Sequence, residues 1–230
     1  MAAMLEFENV TFGYANGNKR VDILKNASVS FETGVFYTII GPSGSGKTTS
    51  LALAGALDAP QGGRVLFTGQ DIRKIGLTRH RRKNVVLIFQ NYNLINYMTA
   101  MENVTMAMEL AGTHKGERKK RAMQLLNDLG LQEDEIKRNV LQLSGGQQQR
   151  VAIARAMASD AEVILADEPT GNLDLQTARE IIAIFKELAH KYNKCVIVVS
   201  HSYEVAEESD EAYRIADGGM QKVSKKELKH

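Results

Sequence analysis

The segment GPSGSGKT, from Gly41 to Thr48, constrains the fold of this chain more than any other stretch of its sequence. It matches the pattern G-x-x-x-x-G-K-[ST] and stands between an apolar run, Val35–Ile40, and a run of helical periodicity, Thr48–Leu57. Glycines let backbone N–H groups converge on phosphate oxygens, and the positive end of the following helix points at the same anion. The segment therefore predicts a nucleoside triphosphate site, but alone it does not separate kinases, GTPases and motors.

Two side chains of this loop have roles that their chemistry predicts. Lys47 can reach the β- and γ-phosphates, and the hydroxyl of Thr48 can bind Mg²⁺ beside them. We expect the phosphates to be held by the loop and by the first turn of the helix: Gly41, Ser43, Gly44, Ser45, Gly46, Lys47, Thr48 and Thr49.

Strands alternate with helices on both sides of this loop. After the loop, Val163–Ala166 and Cys195–Ser200 are apolar runs of strand length, and Thr177–Tyr192 between them has helical periodicity. Such alternation predicts an α/β fold with a largely parallel sheet, whose ligands bind beyond the carboxyl ends of the strands. Residues 92–160 have a different, helical character and are predicted to be an insertion.

Two acids, Asp167 and Glu168, end the predicted strand Val163–Ala166. An acid at the end of a buried strand is costly without a partner, and Mg²⁺ next to Thr48 is the natural one for Asp167. Glu168 then stands where it can orient or deprotonate an attacking water, which contributes about 10²- to 10⁴-fold in rate. The alternative is a solvated pair of turn acids, since Pro169-Thr170-Gly171 follows.

A second helix start with small residues lies at LSGGQ, Leu143–Gln147. Ser144 is in the N-cap position of a predicted helix that ends at Ala158. The start of this helix is a second potential anion site, which is more than one bound nucleotide needs. A capped helix without a ligand is the simpler alternative for these five residues alone.

Together these motifs resemble those of the ATP-binding cassette (ABC) ATPases over essentially the whole chain. The phosphate loop, LSGGQ, the strand that ends in Asp167-Glu168 and the downstream His201 occur here in the family order. The resemblance implies a P-loop NTPase (RecA-like) α/β core with an N-terminal antiparallel β subdomain and an inserted helical subdomain. One domain would span residues 1–230, with the core at 1–91 and 161–230 and the helical subdomain at about 92–160.

The resemblance also implies a use for the second anion site. In this family the LSGGQ segment of one chain binds the γ-phosphate of a nucleotide held on the phosphate loop of another chain. Two nucleotides are thereby sandwiched in a head-to-tail dimer. ATP and Mg²⁺ are the implied cofactors, ATP hydrolysis is the implied reaction, and these residues would bind the ATP of a second copy of the chain: Ser144, Gly145, Gly146 and Gln147.

Four further positions match family motifs one by one. Tyr14 resembles the aromatic residue that stacks on adenine, Gln90 the residue that touches Mg²⁺ and the water, and His201 the contact to the γ-phosphate. Asp174 lies in Asn172-Leu173-Asp174, which resembles the family loop that contacts the partner chain, and Asn172 departs from the more usual SALD form of that loop. A surface tyrosine and a polar strand end are the alternatives for Tyr14 and Gln90. The implied catalytic residues are Glu168, His201, Gln90 and Lys47, and the implied Mg²⁺ ligands are Thr48, Gln90 and Asp167.

The segments ADEPTGNLD and FQNYNLINYMTAMENV resemble the MacB/LolD/FtsE group of ABC ATPases. In that group the residues after the glutamine receive a coupling helix of a membrane permease, which implies a docking surface near Asn91–Asn103. The resemblance implies export driven through a separate permease, with antimicrobial peptides, macrolides or lipoproteins as substrate classes. The alternative is an FtsE-like ATPase that transmits mechanical signals through its membrane partner without transport.

Composition excludes several other classes. The 29 Lys and Arg against 27 Asp and Glu leave a net charge of +2, too even for a protein dedicated to coating nucleic acid. Apolar runs of about five residues are far from the ~20 that a membrane span needs, so we expect a soluble, intracellular protein without a lipid-spanning segment. The resemblance to ABC ATPases that work with a permease further implies a peripheral place at the cytoplasmic face of the cell membrane. The basic C-terminal segment, Lys222–His230, is expected to be mobile.

Overall fold

The structure, a computed structural model, describes residues 3–16 and 19–228. Its strands form two sheets. In chain order they are β1 (Leu5–Asn16), β2 (Lys19–Phe31), β3 (Phe36–Ile40), β4 (Gly62–Phe67), β5 (Gln70–Asp71), β6 (Val85–Phe89), β7 (Val163–Asp167), β8 (Cys195–Ser200), β9 (Glu211–Ala216) and β10 (Gly219–Val223). The helices are α1 (Lys47–Ala54), α2 (Ile72–Ile75), α3 (Leu77–Lys83), α4 (Ala100–Ala111), α5 (Arg118–Asp128), α6 (Glu133–Ile136), α7 (Gly145–Met157), α8 (Leu175–His190) and α9 (Tyr203–Glu208), and a 3-10 turn spans Val140–Gln142.

The larger sheet has the strand order β10-β9-β3-β8-β7-β6 and is parallel except for the β10–β9 pair. Every residue of β3 and β8 is buried, as expected when helices or another sheet cover both faces. The register pairs Ile40 with Ser200 and Asp167 with both Val199 and Phe89. The carboxyl ends of these four strands therefore meet at one edge of the sheet.

The smaller sheet, β2-β1-β4-β5, is antiparallel. Its inward side chains, such as Phe7 and Phe31, share a hydrophobic cluster with Ile39 and Leu165 of the parallel sheet. Together the two sheets confirm the predicted α/β class with an antiparallel β layer beside a P-loop core.

Between β6 and β7 the described regular elements are helices. Helix α4 begins with a capping box in which Thr99 and Glu102 satisfy each other's backbone N–H groups, and it packs against α5 and α7. Val104, Met108 and Leu125 are fully or almost fully buried at this contact. These helices stand on the end of the parallel sheet nearest β6.

The sequence prediction missed the short elements β5, α2, α6 and α9, because segments of two to six residues carry little periodicity. The prediction of a mobile C-terminal segment was wrong as far as Leu228. Strand β10 pairs with β9, and Leu228 is 3% exposed in a small cluster with Ile40 and Ala206. The described residues include no helix that is long and apolar enough to cross a membrane.

Candidate functional site

The candidate site lies at the edge of the sheet where β3, β6, β7 and β8 end. Gly41, Gln90, Glu168 and His201 each follow the last residue of one of these strands. The strand register sets these four residues side by side, although they are far apart in the sequence.

The phosphate loop joins β3 to α1 and leaves the start of that helix open. Gly46 is the N-cap with a φ of 106°, and among the described residues no side chain caps α1. Lys47 is 8% exposed, and its Nζ donates hydrogen bonds to the carbonyl oxygens of Gly41 (2.8 Å) and Pro42 (3.0 Å). A Cβ at Gly41 would lie 2.6 Å from the Ser45 hydroxyl, so this turn requires glycine. Uncapped N–H groups beside a lysine suit the binding of a phosphate chain.

The first helical turn of α1 contacts the end of β7. The Thr48 hydroxyl donates to Asp167 Oδ1 at 3.4 Å. Burial raises the pKa of Asp167, an effect that the Thr48 hydrogen bond and the charge of Lys47 oppose. A half-buried carboxylate is stabilised in its ionised form by a nearby cation, and hydroxyl and carboxylate oxygens are ligands that Mg²⁺ prefers.

Glu168 is fixed by three contacts at the ends of β7 and β8. Its backbone N–H donates to Val199 O (3.0 Å), Ser200 Oγ donates to Oε2 (3.1 Å), and His201 Nδ1 lies 2.9 Å from Oε1. Glu168 also has a left-handed backbone with φ 47°, a strained conformation that clusters at functional sites. The sequence prediction missed Ser200, whose only signal was its place next to His201.

Gln90 is tied to the loop that follows Glu168. Its Nε2 donates to Asn172 Oδ1 at 3.1 Å, and Asn172 Nδ2 donates back to Gln90 O at 3.3 Å. A Cβ at Gly171 would lie 2.9 Å from Gln90 Nε2. Asn172, the residue that departs from the SALD form, thus pairs with Gln90 and links the end of β6 to the loop after β7. The sequence alone did not predict this pair.

Tyr14 lies near the same loop, toward the antiparallel sheet. Its ring is 48% exposed, and its hydroxyl is 3.5 Å from Thr49 Oγ1 in the first turn of α1. Val21 pairs directly with it across β1 and β2 and is 47% exposed. Tyr14 and Val21 thus expose two neighbouring side chains beside the phosphate loop. Val21 was missed because only the register shows this pairing.

The second helix start belongs to α7 and is closed by its own side chains. Ser144 Oγ accepts from Gln147 N (3.3 Å), and Gln147 Oε1 accepts from Ser144 N (2.8 Å), which completes a capping box. Ser144 is exposed. A Cβ at Gly145 would lie 2.9 Å from the Tyr92 hydroxyl, and one at Gly146 would lie 2.5 Å from Thr177 Cγ2, so both glycines allow close packing.

Asp174 has a structural task in this chain. Its carboxylate caps α8 by accepting from Thr177 N (3.0 Å) and from Thr177 Oγ1 (2.6 Å). The Thr177 hydroxyl and then the backbone N–H hold the pKa of Asp174 below its usual value. Because Thr177 lies against Gly146, Asp174 is close to the LSGGQ segment of its own chain.

The two helix starts lie in different parts of the fold. Helix α1 packs on β7 and β8, whereas α7 packs on α4, α5 and α8. The structure thus brings together Lys47, Thr48, Asp167, Glu168 and His201 but leaves Ser144–Gln147 and Asp174 elsewhere.

A family model described as "ABC transporter" matches residues 24–171. The chain belongs to the ABC transporter family. The ABC transporter ATP-binding protein YclH of Bacillus subtilis is 48% identical over 218 residues, which cover 95% of this chain and 96% of that protein. An ABC transporter ATP-binding protein of Thermotoga maritima is 43% identical over 98% of this chain and 97% of its own length.

MacB-type proteins are also among the relatives of this ABC protein. The macrolide export ATP-binding/permease protein MacB of Brucella melitensis is 42% identical over 94% of this chain, which spans 34% of the length of that relative. The resemblance to the MacB-like branch is thereby confirmed.

Two solved structures of the bacterial ABC transporter cassette MJ0796 have the same fold. The dimeric structure is 39% identical with a TM-score of 0.86, over 96% of this chain and 99% of that chain. A dimeric post-hydrolysis state bound to ADP and Pi is 38% identical with a TM-score of 0.82, over the same shares. This ABC protein is accordingly an ATP-binding subunit and an ATPase.

Proposed function

We propose that this ATPase drives a separate membrane permease, and that the permease exports its substrate. ATP hydrolysis at this site is supported above all by the contacts of Glu168 with Ser200 and His201. They lie at the edge of the sheet where the phosphate loop also begins. The MacB relatives support export, and macrolides, antimicrobial peptides and lipoproteins are the proposed substrate classes.

ATP binding is assigned to the phosphate loop and to the surface beside it. The open start of α1 and the ammonium of Lys47 would bind the β- and γ-phosphates, while Tyr14 and Val21 would pack on adenine. Gly41, Ser43, Gly44, Ser45, Gly46, Thr48 and Thr49 complete this proposed site.

Mg²⁺ fits the oxygen atoms at the end of β7. Thr48, Asp167 and Gln90 would hold it, and the bound ion would neutralise charge that develops on the phosphates. Two contacts support this set of ligands. Asp167 accepts a hydrogen bond from the Thr48 hydroxyl, and Gln90 donates one to Asn172.

Hydrolysis is assigned to Glu168 as the residue that orients or deprotonates the attacking water. Ser200 and His201 hold one carboxylate oxygen each, so the carboxylate cannot rotate freely. His201 and Gln90 would contact the γ-phosphate and the water. These contacts would hold the proposed base in position before the nucleotide binds.

The LSGGQ segment is proposed to bind the ATP of a second copy of the chain in a head-to-tail dimer. Ser144 is exposed, and its capping box occupies the N–H groups of Ser144 and Gln147 but not those of Gly145 and Gly146. Those two N–H groups and the Ser144 hydroxyl would face the partner's γ-phosphate. Asp174, at the adjacent start of α8, would contribute to the same dimer contact.

The proposed permease surface is a groove beside the segment Asn91–Asn103. A cavity of about 670 Å³ lies between α3, β6 and α4, and its lining includes Val86, Ile95 and the 65% exposed Leu110. Arg155, near the end of α7, donates to the carbonyls of Tyr92 and Asn93 and so fixes the backbone of this segment. Because α7 begins at LSGGQ, one helix joins the proposed docking surface to the proposed second nucleotide contact.

We further propose one ABC ATPase domain over residues 1–230, with a helical subdomain at about 92–160 and attachment at the cytoplasmic face of the membrane. The test uses tagged Glu168→Gln as bait in the native cell. Membranes are solubilised with Mg²⁺ and ATP present, and the proteins that co-purify are identified. The matched control adds Leu110→Arg, which changes the groove and leaves the nucleotide site intact.

We expect a permease with four spans and a large outer domain, captured by the bait and lost from the control. A membrane partner that controls cell-wall enzymes would instead favour the FtsE-like signalling function. Capture of a ribosomal or other soluble partner alone would overturn the transporter proposal and leave the ATPase chemistry in place.

A further inference from the structure

A small cavity borders the phosphate loop at the His201 side of the site. It has a volume of about 270 Å³ and is lined by Ile40, Gly41, Pro42, His201, Tyr203 and Arg214. At about 30 Å³ per water molecule, this corresponds to roughly nine waters, enough for a tetrahedral oxyanion with part of its hydration. The lining contains an arginine and a histidine and no acid.

Arg214 reaches this cavity because of its position in β9. The parallel register pairs it with Ile40, the residue directly before the phosphate loop. Side chains alternate along a strand, and the neighbours Tyr213 and Ile215 pack in the hydrophobic cluster on the other face. Arg214 therefore points to the face on which α9 packs, beside the start of the loop.

The guanidinium of Arg214 is not committed to a carboxylate. Across residues 3–16 and 19–228, no ion pair within 4.0 Å involves it. The Glu227 carboxylate accepts hydrogen bonds from Ser224 N (2.8 Å) and Ser224 Oγ (2.6 Å). These bonds lower the pKa of Glu227, and the charge of Arg214 lowers it further to a smaller extent. A half-buried arginine without a carboxylate partner, in front of a phosphate-binding loop, has the geometry and charge to bind an oxyanion by two parallel hydrogen bonds.

ATP hydrolysis produces such an anion next to this cavity. Transfer of the γ-phosphoryl group to water yields ADP and inorganic phosphate, and the phosphate must leave from the region of Glu168 and His201. We propose that this cavity is a holding site for the released inorganic phosphate and that Arg214 is its principal ligand. This inference rests on the proposed role of His201 at the γ-phosphate.

The decisive measurement is phosphate binding to the intact chain with ADP and Mg²⁺ at saturation. Equilibrium dialysis with radiolabelled inorganic phosphate compares wild type, Arg214→Gln and Lys222→Gln. Lys222 lies on β10, is 60% exposed and forms an ion pair with Glu211. Its substitution removes the same charge as Arg214→Gln from a nearby strand, and Lys222 does not line the cavity.

We expect Arg214→Gln to weaken phosphate binding about tenfold or more, since a charge-assisted hydrogen bond is worth at least one order of magnitude in affinity. Lys222→Gln should stay within about twofold of wild type. Equal phosphate affinity in wild type and Arg214→Gln overturns the proposal, as does an equal loss in both variants, which would reduce the effect to general electrostatics.

A second measurement needs no substitution at Arg214. Phenylglyoxal modifies accessible arginines, and mass spectrometry of the peptides gives the rate at each site. Phosphate together with ADP should protect Arg214 at least about fivefold more than ADP alone, while the exposed Arg179 on α8 serves as the internal reference. No protection of Arg214 by phosphate would exclude the site.

Turnover and phosphate affinity together distinguish a failure of the proposed catalytic site from a failure of the phosphate site. If the proposed catalytic role of Glu168 and His201 is wrong, their variants keep normal turnover. If only the phosphate site is wrong, those variants lose turnover as proposed, while phosphate affinity does not depend on Arg214.

Discussion

Two helices of this chain begin at segments rich in glycine and serine, and they begin in opposite ways. Helix α1 starts at Gly46 in a left-handed conformation, with no cap from any described side chain and with Lys47 folded onto the loop carbonyls. Helix α7 starts at Ser144, whose side chain and that of Gln147 form a complete capping box.

The difference predicts different dependence on a ligand. Within the part of the chain that the structure describes, no side chain accepts from the N-terminal N–H groups of α1, so an anion at this helix start would satisfy open donors. The start of α7 is stable on its own and presents an exposed hydroxyl outward. The first start is thus the one that we propose binds nucleotide within the chain, and the second is the one that we propose meets the nucleotide of a second chain.

The largest effect is expected from Glu168→Gln, which should stop hydrolysis while both helix starts keep their contacts with nucleotide. Turnover should fall about 10²- to 10⁴-fold, because the amide cannot accept a proton from water. ATP binding should persist, and the chain should accumulate as an ATP-bound dimer. Steady-state ATPase assays and size-exclusion chromatography with ATP measure both. Exposed Glu207→Gln on α9 is the control, and normal turnover in Glu168→Gln would refute the assignment of the base.

The next effect tests the comparison directly. Lys47→Ala should weaken ATP binding to the isolated chain about ten- to hundredfold, since it removes a charged donor to the phosphates. Ser144→Arg should leave that affinity within about twofold, because Ser144 belongs to the other helix start. Fluorescent nucleotide titration at low protein concentration measures both values.

Turnover should nevertheless fall in Ser144→Arg, since a bulky cation at this exposed position blocks approach of the second chain. Normal turnover in that variant contradicts the sandwich dimer. If Ser144→Arg weakens ATP binding to the isolated chain as much as Lys47→Ala does, the proposal that only the start of α1 binds the chain's own ATP is wrong.

Much of this could be predicted from the sequence. Motifs that follow apolar strands meet at the sheet edge, because parallel strands bring their carboxyl ends together, and this located Lys47, Asp167, Glu168 and His201. Ser200 and Asn172 could not be predicted, since their partners Glu168 and Gln90 are chosen by three-dimensional proximity. Asn172 and Gln90, for example, are 82 residues apart.

Register and packing explain the remaining differences. Val21 faces Tyr14 only because of the β1–β2 pairing. Leu228 belongs to a basic C-terminal segment in the sequence, yet in the structure it is buried in a cluster with Ile40 and Ala206. Patterns of charge and periodicity describe segments one at a time and contain no information on such contacts.

A smaller effect distinguishes the two helix starts by stability. Ser144→Ala removes the cap of α7 and should destabilise the chain by about 1 kcal/mol, which lowers Tm by about 2–4 °C. Ser43→Ala is the control at the first start, where no cap exists, and should stay within about ±0.5 kcal/mol. Differential scanning fluorimetry without nucleotide measures both. Equal melting temperatures for wild type and Ser144→Ala would show that the capping box contributes nothing to stability.

The smallest effect concerns pH and the charged cap beside LSGGQ. The pKa of Asp174 is lowered by the Thr177 hydroxyl and backbone N–H, so its ionised form stabilises the folded chain. That contribution is present above the unfolded pKa of about 3.9 and is lost as pH falls through the lower folded value. Asp174→Asn should therefore lower Tm at about pH 7, and this deficit should shrink as pH falls below about 3.9, whereas the deficit of Ser144→Ala, an uncharged cap, should not change with pH. A deficit of Asp174→Asn that does not change with pH would mean that the geometry of the cap, rather than its charge, stabilises the start of α8.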